Sequence, residues 1–187
     1  KTTDCDLMVE TGKKHGVKLC VVHSHLFRQA FLQARKLVDE GTIGDFIGMR
    51  IFLSDTKEDS VMNQAHWIHK LPGGLIGETA PHVVYMSLAF LNSVKRVDVH
   101  ARCFLSHPWA PFDDFRIELE GEETSSSIAI SFASNRSNLL VDIQGTEGAL
   151  YLDVPSRVLV LQRRKHLRGP LSHGRYLTNI CGQVAWS

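Results

Sequence analysis

The sequence predicts an α+β fold: a large, mostly antiparallel open sheet with helices packed on one face. Three observations point to it. The first half carries apolar residues at helical spacing, broken by two strands. From Val97 onward the period changes from helical to two. Short clusters of turn residues then separate the alternating segments, which makes chain neighbours antiparallel.

Residues 4 to 15 read as a helix that Asp4 can cap, with Leu7, Met8 and Thr11 near one face and Gly16 at its end. "VKLCVV" (17–22) reads as a short buried strand. Helix, glycine and strand in this order resemble the last part of an α/β unit. Residues 27 to 40 form a second helix, since Phe27, Ala30, Phe31, Ala34, Leu37 and Val38 follow the i, i+3, i+4 pattern up to Gly41. "DFIGMRIFLSD" (45–55) is a strand, 56–66 a polar loop, and a third helix runs from about Thr79 to Leu91.

The second half reads as six strands. "VDVHARCF" places Val97, Val99, Ala101 and Cys103 on one face; "FRIELE", "SSIAISF", "NLLVDI", "ALYL" and "RVLVL" follow. The turns are "EGEE", "NRSN", "GTEG" and "VPS". Phe52, Leu140, Tyr151, Leu159 and Leu161 fall opposite the obvious core positions. They predict that the other sheet face is covered by a second copy, in a homodimer or homotetramer. From Tyr176 a further helical pattern runs to Ser187 without a cap. The chain also begins at Lys1 rather than Met, so a piece of a longer protein is expected. "RRKHLR" (163–168) reads as a solvated connector.

Composition narrows the function. The 187 residues are 43% hydrophobic and 22% charged, with a net charge of +1. This is the balance of a globular domain, and it offers no global field for nucleic acid or an anionic membrane. The longest apolar run, Val83 to Leu91, is far too short to span a bilayer. Cys5, Cys20, Cys103 and Cys181 have no regular spacing, which predicts free, mostly buried thiols in a reducing, cytoplasmic setting.

The chemistry-bearing residues are histidines, ten in all. His23 and His25, His66 and His69, and His82 lie near one another in sequence. In "LPGGLIGETAPH" (71–82), Glu78 and His82 stand four apart and share a helix face. A histidine so placed can be tuned to carry a proton near neutrality, and the carboxylate can orient its ring. A histidine that only satisfies a buried backbone group accounts for the same residues equally well. A metal site is the weaker reading, because no motif with metal-ligand spacing such as HExxH occurs. No GxGxxG follows a strand, no GxxxxGK[ST] occurs, and no nucleophile elbow is present.

Four stretches, in order, resemble the Gfo/Idh/MocA oxidoreductases. "GVKLCVVHSHLF" is similar to the end of that family's nucleotide domain, which reads like GVKLMVGHNRRF. "LVDEGTIGDFIGMRIFLSD" is similar to the entry into its large sheet. "HWIHKLPGGLIGETAPH" is similar to its Trp, glycine pair and D-x-x-x-H. "VDIQGTEGALYLD" is similar to its late GTxGxLxL hairpin. The resemblance implies a glyceraldehyde-3-phosphate-dehydrogenase-like C-terminal domain, preceded by the last helix and strand of a Rossmann domain. Residues 1–23 would be the remnant of the nucleotide-binding domain and residues 24–187 the substrate-binding and oligomerisation domain.

The same resemblance implies roles. His82 matches the family histidine that exchanges a proton with the substrate hydroxyl. Glu78 stands at the family's usual Asp, one methylene longer. Trp67, His69 and Lys70 would line the substrate pocket together with His23 and His25, and His23 matches the histidine of the HNxRF-type motif. Leu26 departs from an arginine that is common there. The dinucleotide fingerprint and the EKP lysine would precede Lys1, so NAD or NADP would be bound mainly by a domain outside this chain. No metal is implied. The expected substrate is a sugar, cyclitol or sugar derivative, with Lys70 or Arg28 favouring an acidic substituent. The chain alone would be inactive. The competing readings are a non-catalytic assembly module of the same fold and a histidine-cluster hydrolase.

Overall fold

In the computed structural model, residues 2–56 and 58–163 are described. Helix α1 (Thr2–Lys14) ends at Gly16, whose φ of 64° suits a residue without Cβ. After a 3-10 turn (Ser24–Phe27) come α2 (Gln29–Asp39), β1 (Phe46–Ser54), the short α3 (Glu58–Met62), a second 3-10 turn (Trp67–Lys70) and α4 (Gly74–Leu88). Strands β2 (Arg96–Arg102), β3 (Asp114–Glu120), β4 (Ser125–Ser131), β5 (Asn138–Gly145), β6 (Gly148–Asp153) and β7 (Val158–Arg163) follow.

The seven strands form one sheet in the order β2-β3-β4-β1-β5-β6-β7. Every neighbouring pair is antiparallel except β1–β4. Alternation explains the packing. Ile128, Ile130, Leu139, Val141, Ile143, Leu150 and Leu152 are buried on the face beneath the helices, with polar or half-exposed residues between them. Helix α2 lies over β6 and β7, and α4 over β1 and β4. At the α4–β4 contact two hydroxyls are fully buried and satisfied. Ser87 Oγ donates to the Val83 carbonyl at 3.0 Å, which leaves Ser126 Oγ, 2.8 Å away, to donate to Ser87.

Several expectations are corrected. "NRSN" joins β4 and β5, yet these strands are not neighbours: β1 lies between them, so the connection straddles the end of β1. The segment 17–22 is not a buried strand but exposed, unpaired chain. No strand among the described residues lies beside it to pair with or cover it. Leu7, Met8 and Val9 of α1 are exposed for the same reason. Helix α4 begins at Gly74, a turn before Thr79. Gly73 and Gly74 adopt positive φ (86° and 58°) and let the chain turn directly into the helix. Pro81 stands inside it, and the loop 56–66 contains α3.

Leu159 and Leu161 pair with Leu152 and Leu150, so they face the core and not the open face. Val97 and Val99 do share the core-side face with Leu119 and Ile117, but on edge strand β2 they extend past the helices and are exposed. Cys5, Cys20 and Cys103 are free but exposed rather than buried. Cys181, the 176–187 helix and nearly all of "RRKHLR" lie outside the described residues. Among the described residues no helix is long and apolar enough to cross a membrane.

Candidate active site

The straddling connection builds one wall of a cavity. At the end of β1, Asp55 N–H donates to the Ser131 carbonyl (3.1 Å) and Ser54 Oγ to the Arg136 carbonyl (2.7 Å). Ser137 Oγ donates to Asp55 Oδ1 at 3.1 Å, and Asn138 Nδ2 to Ser54 Oγ at 3.4 Å. These bonds gather hydroxyls, an amide and a carboxylate at one end of the sheet. The facing wall comes from α4 and the 23–28 turn. This open cleft has a volume of about 390 Å³, and His25, Arg28, Glu78, Thr79 and His82 line it together with Ser54, Asp55, Ser137 and Asn138. Leu53, Leu139, Val154 and Pro155 supply the apolar floor.

Glu78 and His82 reach this cavity because they are one turn apart on α4. Thr79 Oγ1 donates to Glu78 Oε2 at 3.0 Å. His82 Nδ1 is 3.0 Å from the Tyr85 hydroxyl, and its ring meets that of His25 edge-on at 5.2 Å. His25 is half-buried, and its Nδ1 is enclosed with no hydrogen-bond partner. Burial lowers its pKa to about 4, helped by the Arg28 guanidinium and by His82. His25 is therefore a neutral hydrogen-bonding group at physiological pH.

That shift has a consequence for stability. The folded His25 binds its proton more weakly than the unfolded residue at 6.5. Its contribution is complete above pH 6.5 and is lost as pH falls towards about 4. Urea unfolding across this range should show stability dropping on acidification, with a shallower slope for His25→Gln. Identical slopes for both proteins would contradict the assignment.

The other predicted site residues are elsewhere. His23 is exposed and lies behind the wall, its ring against Tyr85. Trp67 is 57% exposed, and neither it nor Lys70 lines the cavity. His69 instead donates its Nε2–H to the Ser60 carbonyl at 2.7 Å and borders a separate apolar cavity with Gly73, Gly74, Trp109 and Phe112. The physical reason is the early start of α4, which places two helical turns between the 3-10 turn Trp67–Lys70 and His82. Sequence reasoning missed Ser54, Asp55, Thr79, Ser137, Asn138 and Tyr85. The polar end of β1 and the serine-rich turn before β5 were visible, but not that β5 pairs with β1. Among the described residues no group of three or more His, Cys, Asp and Glu is placed to hold a metal ion.

The comparisons agree with this architecture. The inositol dehydrogenase homologue from Azotobacter vinelandii, solved with NAD+, superposes with a TM-score of 0.73 at 16% identity, over 87% of this chain and 45% of that one. Levoglucosan dehydrogenase, solved with NADH and L-sorbose, gives 0.70 at 16% identity, over 81% of this chain and 44% of that one. An NAD binding oxidoreductase from Klebsiella pneumoniae gives 0.72 at 23% identity, over 88% and 48%. The chain thus spans less than half the length of each. No curated protein matches it in sequence. The family model for the GFO/IDH/MocA C-terminal domain matches residues 31–151, and the chain belongs to that family through this domain.

Proposed function

We propose that the intact protein is an NAD(P)-dependent oxidoreductase that moves a hydride between a nicotinamide and a carbinol carbon of a sugar, cyclitol or sugar derivative. Residues 24–187 serve as its substrate-binding and oligomerisation domain, and residues 1–23 as the end of its nucleotide-binding domain. The observation that carries this reading is the pairing of His82 and Glu78 on one wall of a cavity whose other wall is hydroxyl and amide side chains. A hydroxylated ring matches such a lining, and the apolar floor accepts its carbon face. Two carboxylates, Asp55 and Glu78, face one guanidinium, Arg28, so the lining favours a neutral polyol over a polyanion. L-sorbose and myo-inositol, present in two of the similar structures, are of this class.

No strand–turn–helix of this chain carries a glycine pattern that would cradle a dinucleotide's phosphates, so no residue here is assigned to hold the cofactor. When bound, the nicotinamide supplies or takes the hydride. This chain handles the proton. In the oxidative direction the substrate O–H bond breaks and its proton passes to His82 Nε2, while the carbinol oxygen becomes a carbonyl. Glu78, one turn away on α4, lines the same cavity. In the reductive direction the same proton returns.

The open sheet face serves self-association. Phe52, Ala129, Leu140 and Tyr151 form an apolar groove of about 350 Å³, edged by Arg50, Arg116, Glu118 and Asp142. Two cations and two anions around one apolar strip are self-complementary across a two-fold axis. Incubating the intact protein with NAD+ or NADP+ and a panel of polyols tests the enzymatic reading. Reduced cofactor should form with at least one neutral polyol. Its absence across the panel, in both reaction directions, would reject the reading.

A further inference from the structure

Tyr85, 9% exposed, sits where the histidines of the site converge. Its hydroxyl oxygen is 3.0 Å from His82 Nδ1 and 3.2 Å from the backbone nitrogen of His25. The ring of His23 packs edge-on against it at 4.4 Å. His23 itself holds a left-handed backbone, φ 43° and ψ 54°. For a residue with a side chain this backbone is strained, and it persists only where the surroundings impose it.

The donor and acceptor inventory fixes what the phenol can do. A backbone N–H only donates, so His25 N–H occupies one lone pair of the Tyr85 oxygen. The phenol keeps its own proton and a second lone pair. Among the described residues, His82 Nδ1 is the partner left for them. A neutral His82 protonated at Nδ1 donates to that second lone pair, which leaves the Nε2 lone pair free to take the substrate proton. With the imidazolium, Nδ1–H donates to the second lone pair. In both states Nδ1 is tied inward, and Nε2 is the nitrogen left to face the cavity.

We propose that Tyr85 is a positioning residue for His82: its hydroxyl holds Nδ1 and so presents Nε2 to the substrate oxygen in both protonation states. This rests on the reading of His82 as the proton carrier. Tyr85 touches no reacting atom. It acts by fixing the imidazole's orientation and tautomer, and it does so through a change of ring charge because Nδ1–H donates to the same lone pair in both states.

The test is a cycle of Tyr85→Phe, His82→Ala and the double variant in the intact protein, with 15N spectra of ring-labelled histidine. Phe fills the same space without the oxygen. Tyr85→Phe should lower kcat about 10- to 100-fold, the scale of losing orientation at a reacting group, and leave KM nearly unchanged. In the His82→Ala background it should cost nothing further, since its effect runs through the lost ring. The His82 ring nitrogens should move in the Tyr85→Phe spectrum as Nδ1 loses its partner. Equal loss of rate in both backgrounds, or an unchanged kcat, would overturn the proposal. If the wild type shows no turnover, the oxidoreductase reading fails by itself and the spectra alone decide: unmoved His82 ring resonances overturn the positioning role, and moved ones support it.

Discussion

Replacing His82 with Ala in the intact protein is expected to lower kcat by about 10² to 10⁴, the range that general acid–base groups contribute. The thermal midpoint should change little. His82 is half-buried, its ring faces a cavity, and among the described residues its hydrogen bond is to Tyr85. A purely structural histidine would give the reverse pattern, with lower stability and unchanged turnover per folded molecule. Assaying rate and melting together separates the two. A rate within twofold of wild type would remove His82 from the mechanism, whatever the melting curve shows.

The second large effect concerns assembly. Phe52→Glu should dissociate the oligomer, raising its Kd by about 100-fold or more, as expected when a central apolar anchor is replaced by a charge. Phe52 is on the central strand β1, 38% exposed, with Leu140 and Ala129 directly across from it on either side. The new carboxylate would replace the aromatic anchor of the apolar strip with a charge that must be desolvated on association. The side chain points away from the core, so the monomer should remain folded. Sedimentation equilibrium of both proteins reads the result. Equal association, or a wild type that is monomeric at all concentrations, would contradict the role given to this face.

Much of the fold was legible in the sequence because period-two alternation is a local signal. Ile128, Ile130, Leu139, Val141 and Ile143 announce both their strands and their buried face. Strand order is not a local signal. Nothing in "NRSN" says that β1 slips between the two strands it joins, and the polar wall of Ser54, Asp55, Ser137 and Asn138 depends on that insertion. Val17, Leu19, Val21 and Val22 carry the composition of a strand, but a strand also needs a neighbour to pair with. At the site, Glu78 and His82 were readable from their spacing on a helix. Trp67, His69 and Lys70 were named through the family resemblance, and the early start of α4 sets them away from this cavity. Tyr85 left no signal of its own, since an aromatic one turn after His82 reads as core, and only the converging 23–28 turn gives its hydroxyl a second partner besides His82.

The most direct measurement is a crystal structure of the intact protein with NADH and a bound polyol or ketose. The account predicts a substrate oxygen within hydrogen-bonding distance of His82 Nε2, with the carbon bearing it about 3–3.5 Å from the nicotinamide carbon that carries the hydride. The remaining hydroxyls should meet Asp55, Ser137 or Asn138. A ligand bound instead in the cavity beside His69 and Trp109, or one in this cavity with His82 turned away from its oxygens, would contradict it.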